Sequence, residues 1–144
     1  MLLRIIFSFF ATGGFAIIFK TPRKSLFFAA LTGGIGWTIY ELINIKFGFE
    51  SAIILSALSI GLLSYLFSYI LNTNAHPFIA AGIIPLVPGA PAFFTFQNFI
   101  EGNLNTASRY AYETFVGAFG IVIGIALSTA FVNLIERKKL KKAN

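Results

Sequence analysis

The stretch of sequence that decides the fold is HPFIAAGIIPLVPGAP, residues 76–91. Pro85, Pro88 and Pro91 fall within seven residues, and Gly89 lies among them. Each proline removes a backbone donor and clashes with the carbonyl four residues earlier, so this stretch cannot continue one regular helix.

The surrounding residues predict two half-helices with an unwound segment between them. The first is expected over 77–84 and the second over about 91–100, with residues 85–90 unwound. Pro91 suits the first turn of the second half-helix, where a missing N–H costs nothing. In hydrocarbon, unwound backbone persists only when it is buried in protein or lines a wet cavity.

The composition places this broken helix in a membrane. Hydrophobic residues make up 57% of the 144 residues and charged residues 11%, against about 25% charged in a soluble chain. The mean hydropathy is +0.83. The sequence therefore predicts an all-α integral membrane protein.

The same composition argues against catalysis. The chain has no cysteine, no aspartate and one histidine, so it offers little for a nucleophilic triad or a metal site with several ligands. We therefore predict neither an enzyme nor a bound metal or cofactor.

Five apolar segments are long enough, or nearly so, to cross about 30 Å of hydrocarbon. They run over residues 2–19, 25–45, 51–71, 77–100 and 114–135. The first could be taken for a cleaved signal peptide, but its basic cluster follows the apolar run instead of preceding it. We expect it to be retained as a helix.

The basic residues predict the topology. Eight of the eleven lie in two clusters, at 20–24 and 136–142, and short cytoplasmic loops hold such an excess. Four crossings separate the clusters, so the amino terminus faces outside and the basic tail, 136–144, is cytoplasmic. This distribution excludes a nucleic-acid partner, and we expect the tail to contact anionic lipid.

The runs AHP (75–77) and IIPLVPG (83–89) resemble the signature of the threonine/serine exporter family, specifically its short-subunit half. The glycine-rich GGIG at 33–36 is similar too. The resemblance implies an inner-membrane exporter of threonine- or serine-type amino acids, or of a dicarboxylate such as succinate, driven by the proton-motive force. It also implies a larger membrane subunit as partner; a homo-oligomer is the alternative. In the family signature an aromatic hydroxyl often follows the Pro-Gly pair. This chain departs from that pattern, because the matching positions hold Phe93 and Phe94.

The broken helix is the predicted substrate pathway or gate, because broken helices at the midplane carry the substrate sites of many transporters. A purely structural kink is the alternative. The candidate residues are His76, Pro77, Pro85, Pro88, Gly89, Pro91, Phe93 and Gln97. His76 is either a proton sensor or a residue that caps the helix start.

Two carboxylates, Glu41 and Glu113, are candidates for proton coupling. A carboxylate within a span is costly and so suggests a function, although Glu41 is also explained as a solvated, interfacial residue. Small residues at helical spacing predict close helix packing; they are Gly33, Gly36, Gly117, Gly120, Gly124 and Ser128.

Two kinds of function remain open at this point. The first is a transporter subunit whose broken helix forms the pathway. The second is a membrane scaffold or accessory subunit that assembles a partner without transporting anything itself.

Overall fold

A computed structural model describes residues 2–143, apart from the side chains at positions 136 and 139–143. The described part is largely helical, with short turns between the helices, and contains no β-strand, which confirms the all-α prediction. Its helices are α1 Leu2–Ile18, α2 Leu26–Phe47, α3 Phe49–Leu71, α4 His76–Gly82, α5 Gly89–Ile100 and α6 Leu104–Ala143. Two 3₁₀ turns, Arg23–Ser25 and Ile84–Leu86, precede α2 and lie between α4 and α5.

Three helical stretches are long and apolar enough to cross a membrane: Arg23–Phe47, Phe49–Leu71 and Leu104–Ile135. A fourth span arises if the bent pair of α4 and α5 crosses as one unit. Helix α1 is apolar but has only 17 residues, which extend about 26 Å at about 1.5 Å per residue. Length and composition thus support three or four spans, and a fifth requires α1.

Helix α6 begins ten residues earlier than the predicted start of the last span, residue 114. It follows a turn in which Gly102 has a φ of 80°, and the Ala107 N–H bonds to the Asn103 carbonyl at 3.0 Å. Hydropathy marks only the part of a helix that lies in hydrocarbon. Residues 104–113 are polar but contain no helix breaker, so the helix extends beyond its apolar part.

The basic tail predicted at 136–144 continues the same helix through Ala143. Arg137 and Lys138 are exposed. The side chains of Lys139, Lys141 and Lys142 lie outside the described part, so the lipid contact stays a prediction for them.

The helices pack in the lateral order α1, α2, α3, α6. Helix α4 lies against α1, α2 and α3, whereas α5 packs against α6 and has no buried residue. The broken helix therefore runs across one face of the bundle, and its second half lies at the periphery.

Small residues let these helices approach closely. A Cβ atom added to Gly124 would lie 2.5 Å from the Ile54 carbonyl oxygen, and one added to Gly120 would lie 2.5 Å from Ile53 Cγ2. Ser128 of α6 lies against Gly61 of α3. These three residues of α6 form what we call the α3–α6 seam.

The α2 glycines lie at other helix contacts. Gly33 faces Thr12 of α1, and its carbonyl accepts a hydrogen bond from Ser8 Oγ at 3.1 Å. Gly36 faces Ile60 of α3. Small side chains and hydroxyl-to-backbone hydrogen bonds are the usual means by which helices associate in lipid.

Candidate functional site

The segment between α4 and α5, which we call the break, is not α-helical. Helix α4 ends at Gly82, and a single 3₁₀ turn follows. Val87 is extended, with φ −60° and ψ 126°, and α5 starts at Gly89. The two halves are bent by 46°.

The two predicted half-helices are confirmed, but the non-α segment spans residues 83–88 rather than 85–90. Gly89 and Ala90 already belong to α5. Pro91 lies in its first turn, and the Ala92 N–H bonds to the Pro88 carbonyl at 3.1 Å. The break is narrower than predicted because Pro91 is compatible with the first turn of a helix.

A small cavity lies beneath the break, with a volume of about 160 Å³. Trp37 and Tyr40 of α2 line it, with ring centroids 5.0 Å apart. Its other lining residues are Phe49, Ile53, Pro85, Leu86, Val87, Pro88 and Pro91. We call this cavity the aromatic pocket. Its volume is below the roughly 300–1,000 Å³ of most ligand sites, so it suits only a small molecule.

A larger cavity of about 470 Å³, whose lining includes charged side chains, adjoins the aromatic pocket. It is lined by Tyr40, Asn44, Phe49, Glu50, Pro91, Arg109, Tyr112 and Glu113. We call it the vestibule. Tyr40, Phe49 and Pro91 line both cavities, so the vestibule leads towards the break.

The charged groups of the vestibule are partly paired. Arg109 Nε lies 3.4 Å from Glu113 Oε1, and the Tyr112 hydroxyl donates to Glu50 Oε1 at 3.0 Å. Two carboxylates and one guanidinium leave the vestibule with a formal charge of −1. The arrangement can bind a carboxylate through Arg109 and an ammonium group through either glutamate.

Glu41 lies on the other side of the break, near α1. Its side chain is 10% exposed and pairs with Arg4 at 3.7 Å. The Trp37 Nε1–H donates to the same carboxylate oxygen, Oε1, at 3.2 Å. The Glu41 carboxylate is thus largely covered and has a counter-ion on α1, and both the interfacial and the coupling interpretation of this residue stay predictions.

An open groove of about 290 Å³ runs beside this pair. Arg4, Trp37 and Pro85 are among the residues that line it. Trp37 also lines the aromatic pocket, so its indole lies between the Glu41 carboxylate and the break.

Several residues assigned to the pathway from sequence lie elsewhere. Phe93 is 64% exposed, and Gln97 is also exposed and donates to Glu101 Oε1 at 3.0 Å. Neither lines the aromatic pocket or the vestibule. Position 93 was grouped with the break because it follows closely in sequence, but α5 turns that face away from the bundle.

His76 and Pro77 lie at the far end of α4 from the break. His76 is exposed, and Pro77 lines a separate pocket at that end of the bundle. Gly89 is exposed, and a Cβ atom added to it would meet nothing within 4 Å. Gly117 instead supports the break, because its added Cβ would lie 3.1 Å from Pro88 Cβ and Cγ.

Sequence reasoning missed most of the vestibule. Glu50, Arg109 and Tyr112 lie between the predicted apolar segments, and hydropathy separates apolar from polar stretches only. The available signal was a concentration of polar side chains at the end of α2 and at the starts of α3 and α6. Among the described residues, no group of three or more acidic, histidine or cysteine side chains could hold a metal ion.

Comparison with known proteins adds the following findings. A family model described as "Threonine/Serine exporter, ThrE" matches residues 4–131. An uncharacterized protein from Haemophilus influenzae is 26% identical over 136 residues, a match covering 88% of this chain and 46% of that protein. The chain thus spans less than half the length of that relative. No solved structure gives a significant match.

Proposed function

Because the chain belongs to the threonine/serine exporter family, we propose that it is the small subunit of a membrane exporter of small polar metabolites. Family membership and the apolar helices make it a multi-pass membrane protein. The proposal concerns its substrate, its pathway, its partner and its energy source.

The observation that carries the proposal is the break, which lies over the aromatic pocket and beside the charged vestibule. Unwound helices near the midplane bind substrates in many secondary transporters. We assign the gate or substrate site to residues 83–88 with the aromatic pocket, and one access route to the vestibule. Supporting this assignment, Pro85, Pro88 and Pro91 line the pocket directly.

The charges of the vestibule support an amino acid better than a dicarboxylate. An amino acid offers a carboxylate for Arg109 and an ammonium group for Glu50 or Glu113. A dicarboxylate such as succinate would bring two negative charges to a vestibule whose formal charge is already −1. We therefore propose threonine- or serine-type amino acids as the first substrates to test, and succinate as the second.

The proposed topology has five crossings, with α1 as the shortest, an outside amino terminus and a cytoplasmic carboxyl terminus. In this arrangement the vestibule faces outside, and the 20–24 and 136–142 clusters face the cytoplasm. The bent α4–α5 pair then counts as one crossing. Basic residues in the short cytoplasmic segments support this orientation.

We propose that a second membrane chain covers the break. Val87 is 50% exposed, and Gly89 and Ala90 are exposed as well. Backbone that leaves the helix inside a membrane needs protein or water beside it, because lipid offers no hydrogen bonds. A larger membrane subunit is the favoured partner, since the related protein is more than twice as long as the part that matches; a second copy of this chain is the alternative.

Glu41 and Glu113 are the proposed proton-coupling residues, under the proton-motive force. Each carboxylate has an arginine partner, Arg4 and Arg109 respectively. Protonation would neutralise the carboxylate and release its arginine. At Glu41, this would remove the Arg4 ion pair that links α1 to α2 beside the break.

The experiment measures export of labelled threonine, serine and succinate from three kinds of vesicle. The first contains this chain alone, and the second contains this chain with its larger subunit. The third contains the larger subunit with the Gly89→Leu variant of this chain. An added Cβ atom at position 89 meets nothing within 4 Å in this chain, so the fold should persist while the covered face is blocked. Gly14→Leu is the matched control, because Gly14 is also exposed and open.

We expect Gly89→Leu to reduce export by at least tenfold and Gly14→Leu to leave it unchanged. If export requires this chain but its rate is unchanged in both Gly89→Leu and Pro88→Ala, a scaffold or accessory subunit is favoured instead.

A further inference from the structure

A separate pocket of about 350 Å³ lies at the end of α4 away from the break. The turn after α1, the turn after α3 and the start of α4 line it, through Lys20, Thr21, Thr73, Asn74, Pro77 and Phe78. Pro77 precedes Pro85 by eight residues, which is about 12 Å along a helix. The pocket is therefore distinct from the aromatic pocket and the vestibule, and its volume is in the range of small-ligand sites.

Two threonine hydroxyls in this pocket have no partner. Thr21 is 94% buried, since its relative exposure is 6%. Its Oγ1 atom and that of Thr73 are buried and make no hydrogen bond within the described chain. An unpaired buried hydroxyl is costly, and in natural proteins such a group usually has a partner. Both threonines line one cavity, so a polar occupant of that cavity would give the two hydroxyls a partner once their side chains rotate towards it.

The backbone that places these threonines is built in the same way at both helix ends. Lys20 and Asn72 have positive φ values of 55° and 49°. The threonine after each donates its N–H to the carbonyl five residues earlier, at 3.0 Å in both cases. This is the Schellman ending of a helix. It satisfies the backbone groups of α1 and α3 internally and leaves both hydroxyls buried without a partner beside the pocket.

Lys20 is the unusual choice in this pair. Glycine is the common residue at the left-handed position of such an ending, because a side chain there costs free energy. Asparagine tolerates the conformation better than other residues with a side chain, whereas lysine has no such advantage. A residue held in an unfavourable conformation is often kept for its function.

The charge around the pocket is positive. Lys20 is its charged lining residue, and Arg23 and Lys24 follow within four positions. No carboxylate lines the pocket among the described residues. Hydroxyls, a side-chain amide and an ammonium group together form a donor set for a small anion.

We propose that this pocket binds a small oxyanion, a carboxylate or a phosphate, through the Lys20 ammonium, the Asn74 amide and the Thr21 and Thr73 hydroxyls, whose side chains rotate towards the pocket on binding. This site is additional to the proposed transport pathway and does not depend on it. The oxyanion can come from solution, as a metabolite or inorganic phosphate, or from the headgroup of an anionic phospholipid, because the basic cluster marks this end of the bundle as a membrane surface.

The test is the thermal stability of the full chain in nanodiscs of zwitterionic lipid, at constant ionic strength set with chloride. Inorganic phosphate or succinate is added in one arm, and phosphatidylglycerol is included in the nanodisc in the other. A ligand that binds only the folded state raises the midpoint of unfolding. We compare the parent with Lys20→Gly and with the double variant Thr21→Val/Thr73→Val.

The double variant should need at least tenfold more anion to reach the parent's shift, since each lost hydrogen bond to a charged group weakens binding by about that factor. Lys20→Gly should raise the midpoint without anion, because glycine suits the left-handed position, and should lose most of the anion-induced shift. These opposite signs keep the test informative even if the double variant folds poorly. Ser25→Ala is the control, because the Ser25 hydroxyl is also buried without a partner but does not line the pocket.

A shift with phosphate or succinate supports filling from solution, and a shift with phosphatidylglycerol alone supports a lipid headgroup. The proposal is overturned if no anion shifts the parent. It is equally overturned if the parent, Lys20→Gly and the double variant shift alike, since the anion would then act through general ionic effects.

Discussion

Gly124→Ala tests how closely α6 approaches α3, the contact that holds α6, and with it α5, in place. The added methyl group would lie 2.5 Å from the Ile54 carbonyl oxygen, 2.7 Å from Ala57 Cβ and 2.8 Å from Leu58 N. Two of these atoms belong to the α3 backbone. They cannot move away by changing a rotamer, so the helices themselves must separate.

The size of the effect follows from these distances. Ordinary carbon contacts begin near 3.4 Å, so α3 and α6 must move apart by about 0.6–0.9 Å. A gap of that size removes roughly a quarter to a half of the dispersion energy of the atoms along the seam. Overpacking of this kind costs about 1–3 kcal/mol, which corresponds to about a 5- to 150-fold change in the unfolding equilibrium constant.

The assay is reversible unfolding in mixed micelles at increasing fractions of a denaturing detergent. Alanine also stabilises a helix relative to glycine, by up to about 1 kcal/mol. Gly14→Ala is the control for that gain, because its methyl group meets nothing within 4 Å. The difference between the two variants then isolates the contact with α3.

A second comparison makes the test stricter. Gly120→Ala meets Ile53 Cγ2, a side-chain atom, at 2.5 Å. This is the one contact of Gly120 below 3.0 Å among its three nearest, whereas all three at Gly124 fall below that distance, so Gly120→Ala should cost less than Gly124→Ala. Equal stability of Gly124→Ala and Gly14→Ala would refute the close backbone approach on which the seam depends.

Three further predictions concern transport. Glu41→Gln should abolish the pH dependence of export because the side chain can no longer gain or lose a proton; rates measured against external pH that keep the parent's profile would reject the coupling role. Gly117→Val should move Pro88, which lies 3.1 Å from an added Cβ, by about 0.3 Å to restore an ordinary contact of 3.4 Å. We expect this to lower the initial export rate by about tenfold, since small displacements at a functional site can reduce rates strongly. If this variant exports at the parent's rate, the break is not part of the transport pathway. Arg109→Gln should lower the export of carboxylate substrates severalfold, with succinate affected most, because it removes the positive charge of the vestibule. Lys46→Gln is the control, since Lys46 does not line the vestibule. Equal effects of the two changes would argue against the vestibule as a transport route.

The sequence alone was sufficient for the fold class and for the break. Both depend on local chemistry: apolar composition predicts membrane helices, and prolines at 85, 88 and 91 interrupt a helix wherever it lies. The family resemblance also rested on this local block, and the match over residues 4–131 confirms it. The early start of α6 was missed because hydropathy reports where a helix is apolar and not where its hydrogen bonding begins.

The cavities could not be predicted from the sequence, because each forms where segments that are distant in the chain meet. The Tyr112–Glu50 hydrogen bond joins residues 62 positions apart, and Arg4 reaches Glu41 from another helix. Helical periodicity shows which residues share a face, but not which faces meet. Phe93 and Gln97 illustrate this: they follow the break closely in sequence, yet α5 packs on α6 through its other side and turns them outward. Local chemistry in the sequence thus determined where the helix breaks, and the packing of α2, α3 and α6 decided which side chains surround that break.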